Sequence, residues 1–238
     1  MDNMKQTTLN QRIEKFNQIN ESINQKVYGS DEFLKLSLIL VEFRFNYIAP
    51  QFFLEKLIKT EEEYFETKMA DMLSNGIVDQ NSMFNSVLDL KLEVNNLLIN
   101  IKMSLDRIVK ILSVFYKGFS PISTFGHINE DGKTKGFMSY VAKHQSEDKL
   151  LNFIFENYHQ WIKLAVLPRN QIMHYENLIV EFPMNFQNDE ISISYRTNDN
   201  FKFNIKDLKQ YSDNWYILID KIFKTLEKNY NNKIGDVG

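Results

Sequence analysis

The chain has 238 residues, 43% of them apolar and 13% aromatic, enough to close one substantial core. Lys and Arg number 28 against 31 Asp and Glu, a net charge of -3, so no global electrostatic pull toward nucleic acid or an acidic membrane is implied, and an RNA ligand needs a local basic patch. The absence of cysteine excludes a disulfide framework, a thiol nucleophile, thiolate zinc sites and iron–sulfur ligation, and fits a cytoplasmic protein.

The opening MDNMKQTTLNQRIEKFNQIN has no apolar core behind its charges and reads as neither signal peptide nor anchor. Leu9, Ile13, Phe16, Ile19 and Ile23 recur at three-to-four spacing and predict an amphipathic helix over 9–27, closed by Gly29 and followed by the Ser30-Asp31 cap. A second helix is expected over 32–48. Pro50 is expected to open a third at its first turn, running to Asn75-Gly76. The most apolar stretch, FLKLSLILVEFRFNYIAPQFFLEKL, is interrupted by Lys35, Glu42, Arg44 and Pro50, which points to a buried helix pair and away from a membrane span.

From 80 to 117 the period is kept by Leu88, Leu92, Leu98, Ile101, Leu105, Ile108 and Leu112 with no Pro or Gly inside, giving one long helix or two nearly collinear ones. Gly118 and Pro121 break it, and GHINEDGKTKG over 126–136 reads as a mobile polar loop. A helical region follows over 137–174, with Pro168 expected to kink or end it. NLIVEFPMNF, EISISYR and FKFNI then alternate between turn-like QND and TNDN, predicting a small antiparallel meander over 177–205. The last helix is expected from Lys206 to Tyr230, with Leu208, Tyr211, Trp215, Ile219, Ile222 and Leu226 on one side. The expected fold class is mainly α: a single domain over 1–238, a helical bundle with a β-insert before its last helix and extra N-terminal helices, over 1–76, packed on it.

Several chemistries find no support. The eight glycines are scattered, so there is no phosphate loop or dinucleotide fingerprint, and no cofactor is expected. His127, His144, His159 and His174 lack paired-ligand spacing, so no metal site is expected either. Glu61 to Glu63 read as a solvated helix face, Asp106-Arg107 as a surface charge pair, and Phe43, Phe45, Tyr47, Phe52 and Phe53 as core. His159 reads as a packed or surface residue. His144, beside Lys143 near a helix end, is a candidate for phosphate contact.

LPRNQIMHYENLIVEF, residues 167–182, is the segment with catalytic promise. With five arginines and four histidines the spacing of Arg169 and His174 alone is weak, but Asn170 follows the arginine and Pro168 sets the pair at a helix discontinuity. RNQIMH resembles the HEPN superfamily, whose hallmark is an Arg, usually a polar residue after it, then three to five more positions and a His, here in its shortest form with Arg169, Asn170 and His174 matching. SLDRIVKILSVFY upstream is similar to the second core helix of several HEPN families, so the likeness covers 80–230. The resemblance implies a HEPN-like helical bundle and a metal-independent endoribonuclease, often a toxin or an antiviral defence effector, acting as a homodimer in which two copies of the motif meet. It also implies an RNA substrate and an antitoxin or defence partner, with no membrane partner.

The residues suit that chemistry in their own right. Removing a proton from a ribose 2′-hydroxyl requires a base titrating near neutrality, which is His174, and the charge then gathering on the phosphoryl oxygens requires a planar donor fork, which is Arg169. Asn170 is placed to orient the phosphate or the imidazole. Five helical positions turn the chain through about 500°, which leaves Arg169 and His174 roughly 140° apart on one helix, so either the helix is distorted or a second subunit completes the site. Where some HEPN toxins carry a modified tyrosine two residues after the histidine, this chain has Glu176, with Tyr175 adjacent to the histidine instead. The groove for RNA is expected from Lys133, Lys135, Lys143 and Lys163. Two other readings stay open: a noncatalytic HEPN-like module binding RNA, a nucleotide or a protein, and a scaffold in which Arg169 and His174 only cap a helix end.

Overall fold

In a computed structural model the described residues are 8–27, 31–69, 80–120, 122–129, 131–173, 177–185, 190–197 and 201–235. Helix α1 spans Leu9–Val27, α2 Asp31–Glu63 with a π-helical continuation over Tyr64–Met69, and α3 Gln80–Phe115. Strands β1, His127–Ile128, and β2, Thr134–Lys135, precede α4, Phe137–His144. Helix α5, Lys149–Asn157, passes through a π-helical turn, Tyr158–Ile162, into α6, Lys163–Met173. Five short strands follow: β3 Ile179–Glu181, β4 Met184–Asn185, β5 Glu190–Ile191, β6 Ser194–Arg196 and β7 Lys202–Phe203. Helix α7, Ile205–Gly235, ends the fold. The architecture is mainly helical with a small antiparallel insert before the last helix, as the periodicity predicts.

The central pair is α2 and α3, packed antiparallel: Glu42 meets Lys110, Asn46 meets Ser104 and Lys56 meets Glu93. The expectation of two helices meeting at Pro50 is wrong, because α2 runs unbroken through it. Proline removes the donor that would bond the carbonyl of Asn46 four residues earlier. The Ser104 hydroxyl, buried at 0% exposure on α3, lies 2.5 Å from that carbonyl and 2.7 Å from its own Asn100 carbonyl, and its single proton serves one at a time. On the next residue, the buried Tyr216 hydroxyl donates to the Tyr47 carbonyl at 2.8 Å. Helical propensity around a proline is thus restored by donors from neighbouring helices.

Helix α1 lies parallel to α7, with Arg12 3.5 Å above the Tyr216 ring, Lys15 on Asp220 at 2.7 Å and Ser22 on Glu227 at 2.7 Å. Between them sits an aromatic centre in which Phe16, Phe43, Tyr47 and Trp215 meet at tilted and edge-on angles, the geometry ring quadrupoles favour. The apolar faces predicted for α3 and α7 are inside: Leu98, Ile101, Leu105, Ile108 and Leu112 are fully buried, as are Leu208, Trp215, Ile219 and Ile222. Leu88 and Leu92 keep the period but are 42% and 48% exposed, since the buried face of this part of α3 is carried by Leu90, Val94 and Leu97 instead. The aromatic run of α2 divides in the same way, with Phe43 and Tyr47 buried and Phe45 and Phe52 exposed.

The expected meander is present. Strands β3, β6 and β7 form one antiparallel sheet, and β4 with β5 extend the same hairpin beyond Phe182-Pro183, where Ser192 N–H donates to the Pro183 carbonyl. Glu181 fastens β3 to its neighbours through Arg196 at 2.6 Å and Lys202 at 3.0 Å. The meander docks on the end of α2: Phe182 stacks on Tyr64 at 4.9 Å, and the Tyr195 hydroxyl donates to Glu61 at 2.6 Å. Glu61 is therefore buried, while Glu62 and Glu63 are the solvated pair the acidic run suggests. The loop over 126–136 is also more ordered than its composition implies. It contains the β1–β2 hairpin, and Gly126 and Gly136 touch backbone to backbone at positive φ, a Cβ on Gly126 meeting the Lys135 carbonyl at 1.8 Å.

Two stability experiments follow from these contacts. Ser104→Ala orphans a buried carbonyl and should cost about 1–3 kcal/mol in chemical denaturation, and Pro50→Ala in that background should recover most of the loss by supplying the missing N–H. Burial raises the Glu61 carboxyl above the ordinary carboxylate range, more than the Tyr195 hydrogen bond lowers it. A raised folded value means the fold loses stability as pH climbs from the unfolded value through the folded one. Glu61→Gln should then melt higher than wild type at pH 7, with the advantage gone below about pH 4; a lower melting point at pH 7 would show that the charged hydrogen bond outweighs the burial cost.

Candidate functional site

Asp148 starts the helix that carries the candidate residues, its Oδ1 accepting from Leu150 N at 2.7 Å and Leu151 N at 2.9 Å while Oδ2 accepts from the Tyr116 hydroxyl at 3.1 Å. From this end of α3 the helix runs back along it toward the end that carries the meander, so α3 and α6 pack together. The wide turn at Tyr158–Ile162 is held by Trp161 Nε1 donating to Asn157 Oδ1 at 2.8 Å, and by Asn157 Nδ2 donating to the Phe153 carbonyl at 2.8 Å. Two devices, a π turn and a proline, thus lie within one short helix immediately before Arg169. Pro168 does not end it: α6 continues to Met173.

Arg169 and Asn170 are both half-buried, and the Arg169 Nη1 donates to Asn170 Oδ1 at 3.1 Å. The Arg169 Nε is buried and has no acceptor among the described residues. A guanidinium has five N–H donors in a fixed fork, so this one is oriented by its neighbour and keeps donors free for a planar anion. Of the three residues singled out from sequence, these two are brought together. His174 lies just beyond the described part of α6 and outside the described residues. On the same helix Leu164 and Leu167 are 40% and 37% exposed, placing apolar surface in the turns before Arg169.

The remaining candidates fall elsewhere. Asp106 and Arg107 do not pair with each other: Asp106 binds Lys102 and accepts from Phe125 N at 2.7 Å, anchoring the loop after α3, and Arg107 reaches Glu42 at 3.6 Å. His159 is exposed and stands edge-on to Phe155 and Tyr158. Lys133 is tied to Asp131 at 2.8 Å on the hairpin tip, whereas Lys143 lines a cavity with Lys117 and His144. In the sequence Lys117 reads as a helix-ending lysine; its neighbours Gly118, Ser120 and Ser123 are the signal, a small polar loop between two helices. Among the described residues no three acidic or histidine side chains cluster as a metal-ligand set, and no helix is long and apolar enough to cross a membrane. Comparison with protein-family models, curated proteins and solved structures returns no match.

An unpaired buried Nε is a standing cost to the fold. Arg169→Met, which keeps the aliphatic stem, should therefore melt at or slightly above the wild-type temperature, at about 2–4 °C per kcal/mol recovered for a chain of this size. A clear fall would mark Arg169 as a structural cation.

Proposed function

We propose that the chain is a metal-independent endoribonuclease of HEPN type, cleaving RNA through its own 2′-hydroxyl to leave a 2′,3′-cyclic phosphate and a 5′-hydroxyl end. The observation that carries the reading is Arg169: a half-buried guanidinium, aimed by Asn170, whose Nε has no acceptor among the described residues. A guanidinium presents five N–H donors in a fixed fork, and a substrate phosphate is a group of the right charge and geometry to accept from those that face outward. His174, five residues along, supplies an imidazole able to take the 2′-proton near neutral pH. Arg169 then holds the phosphoryl oxygens as charge builds on them, and Asn170 fixes the fork.

The active unit in this reading is a homodimer through the Arg169–His174 face. Ideal helical spacing would set positions 169 and 174 apart within one chain, and exposed Leu164 and Leu167 offer apolar surface in the turns before Arg169 for an isologous contact. A toxin or phage-defence role with an antitoxin or defence partner belongs to the same proposal. A noncatalytic HEPN-like module is the alternative.

Purified protein in EDTA should cleave single-stranded RNA, and RNA with 2′-O-methyl groups should resist. Arg169→Ala and His174→Ala should each lower the cleavage rate by about 10²-fold or more at an unchanged melting temperature. Light scattering should give a dimer that Leu167→Asp separates, with loss of cleavage. RNA that is bound by the wild type but left intact would select the noncatalytic module.

A further inference from the structure

At the other end of the α5–α6 helix lies a second basic site. The chain between Lys117 and α4 folds around an open cavity of about 440 Å³, within the range of small-molecule sites. Its lining contains Lys117, Lys143 and His144 and, among the described residues, no carboxylate, in a chain whose acidic residues outnumber its basic ones. Lys117 and Lys143 are exposed and have no acidic partner among the described residues. His144 is held by a 3.4 Å contact from Nδ1 to Glu147 and lies against the Tyr140 ring at 4.6 Å. The Ser123 and Ser139 hydroxyls also line the cavity.

The backbone explains why side chains, and not the helix end, supply the charge here. The first N–H groups of α4 are already taken: Phe137 N donates to the Thr124 carbonyl, Met138 N to the Phe125 carbonyl and Ser139 N to the Gly136 carbonyl. This pairing, with the close approach of Gly126 and Gly136, fixes the floor of the cavity. Gly118, at φ 109°, lies so close to Tyr140 that a Cβ there would stand 3.2 Å from its ring. Phe119 packs on Tyr140 at 5.0 Å and on Phe137 at 4.7 Å, so one wall is aromatic and the rim is cationic. Two lysines drawn from different segments, a histidine and hydroxyls around an aromatic wall match a phosphate ester whose organic part presents a flat ring.

We infer that this cavity binds a nucleotide, either free or as one unit of a single-stranded RNA, with the phosphate at Lys117 and Lys143 and the base against Phe119 and Tyr140. The site is independent of Arg169. Asp148 beside it and Arg169 are separated by 21 helical positions, roughly 30 Å at 1.5 Å per residue.

The test is calorimetric titration of the full chain with adenosine 5′-monophosphate, inorganic phosphate, adenosine and a 2′-O-methyl hexaadenylate. The monophosphate should bind, with phosphate and adenosine each at least about tenfold weaker, and Lys117→Gln with Lys143→Gln should weaken it about 10–100-fold at an unchanged melting temperature. In the Arg169→Ala background, tighter binding of the 2′-O-methyl hexaadenylate than of the monophosphate, lost on adding Lys117→Gln with Lys143→Gln, assigns the site to an RNA strand, and equal binding assigns it to a free nucleotide. Arg169→Ala should leave the monophosphate affinity unaltered, so loss of cleavage and loss of this binding are separable. No binding of monophosphate or hexaadenylate at millimolar concentration, binding by the double variant equal to wild type, or phosphate binding as well as the monophosphate would each overturn the inference.

Discussion

The fold depends on one carbonyl. Pro50 stands in the middle of a 33-residue helix and strips the Asn46 oxygen of its partner, in a part of the molecule from which water is excluded. Ser104 meets that oxygen from α3, and Tyr216 meets the next one, Tyr47, from α7. Three helices are thereby joined through the backbone of α2, and the registers of the pairs follow: Lys110 falls opposite Glu42, Lys56 opposite Glu93, and Arg12 above the Tyr216 ring. Apolar packing around Phe43, Tyr47 and Trp215 supplies most of the driving force, but it is non-directional, and hydrogen bonds to particular carbonyls choose one alignment among many.

The second in-helix proline has a different setting. Pro168, itself buried, removes the donor that would bond the carbonyl of Leu164, a residue 40% exposed. Together with the wide turn at Tyr158–Ile162 it loosens the ladder just before Arg169, the half-buried cation near the end of the described helix. Irregular helical geometry is costly, and it persists where surrounding contacts enforce it, here Trp161 on Asn157 and Asn157 on the Phe153 carbonyl.

Periodicity revealed what periodicity can: the buried faces of α3 and α7 were legible because Leu98 to Leu112 and Leu208 to Leu226 repeat at helical spacing, and the meander because its runs alternate. What it missed depends on partners distant in sequence. Pro50 reads as a helix start unless Ser104 is known to lie opposite its orphaned carbonyl. Glu61 looks like one of three solvated acids until Tyr195, 134 residues later, folds onto it. The polar composition over 126–136 concealed a hairpin because its order comes from two glycines touching backbone to backbone, which no propensity encodes. At the candidate site, adjacency placed Arg169 beside Asn170 in the sequence itself, but the burial of the Arg169 Nε required the fold.

Net charge was the least informative of the sequence quantities. At physiological salt, exposed charges more than about 8 Å apart are largely screened, so a ligand at contact responds to the few groups around it and hardly to the total. Among the described residues two carboxylates stand behind the α4 cavity, Asp148 held by two backbone donors and Tyr116, and Glu147 facing His144; burial first, and then the charges of these two, push the Tyr140 hydroxyl up. Lys117 and Lys143 form a positive patch with no opposing carboxylate among the described residues of the lining. An acidic chain can therefore present an anion-binding surface without a basic composition, provided its carboxylates are placed elsewhere as helix caps and ties between elements, and in this fold Asp148 caps a helix, Glu42 and Glu93 tie helices and Glu181 ties strands.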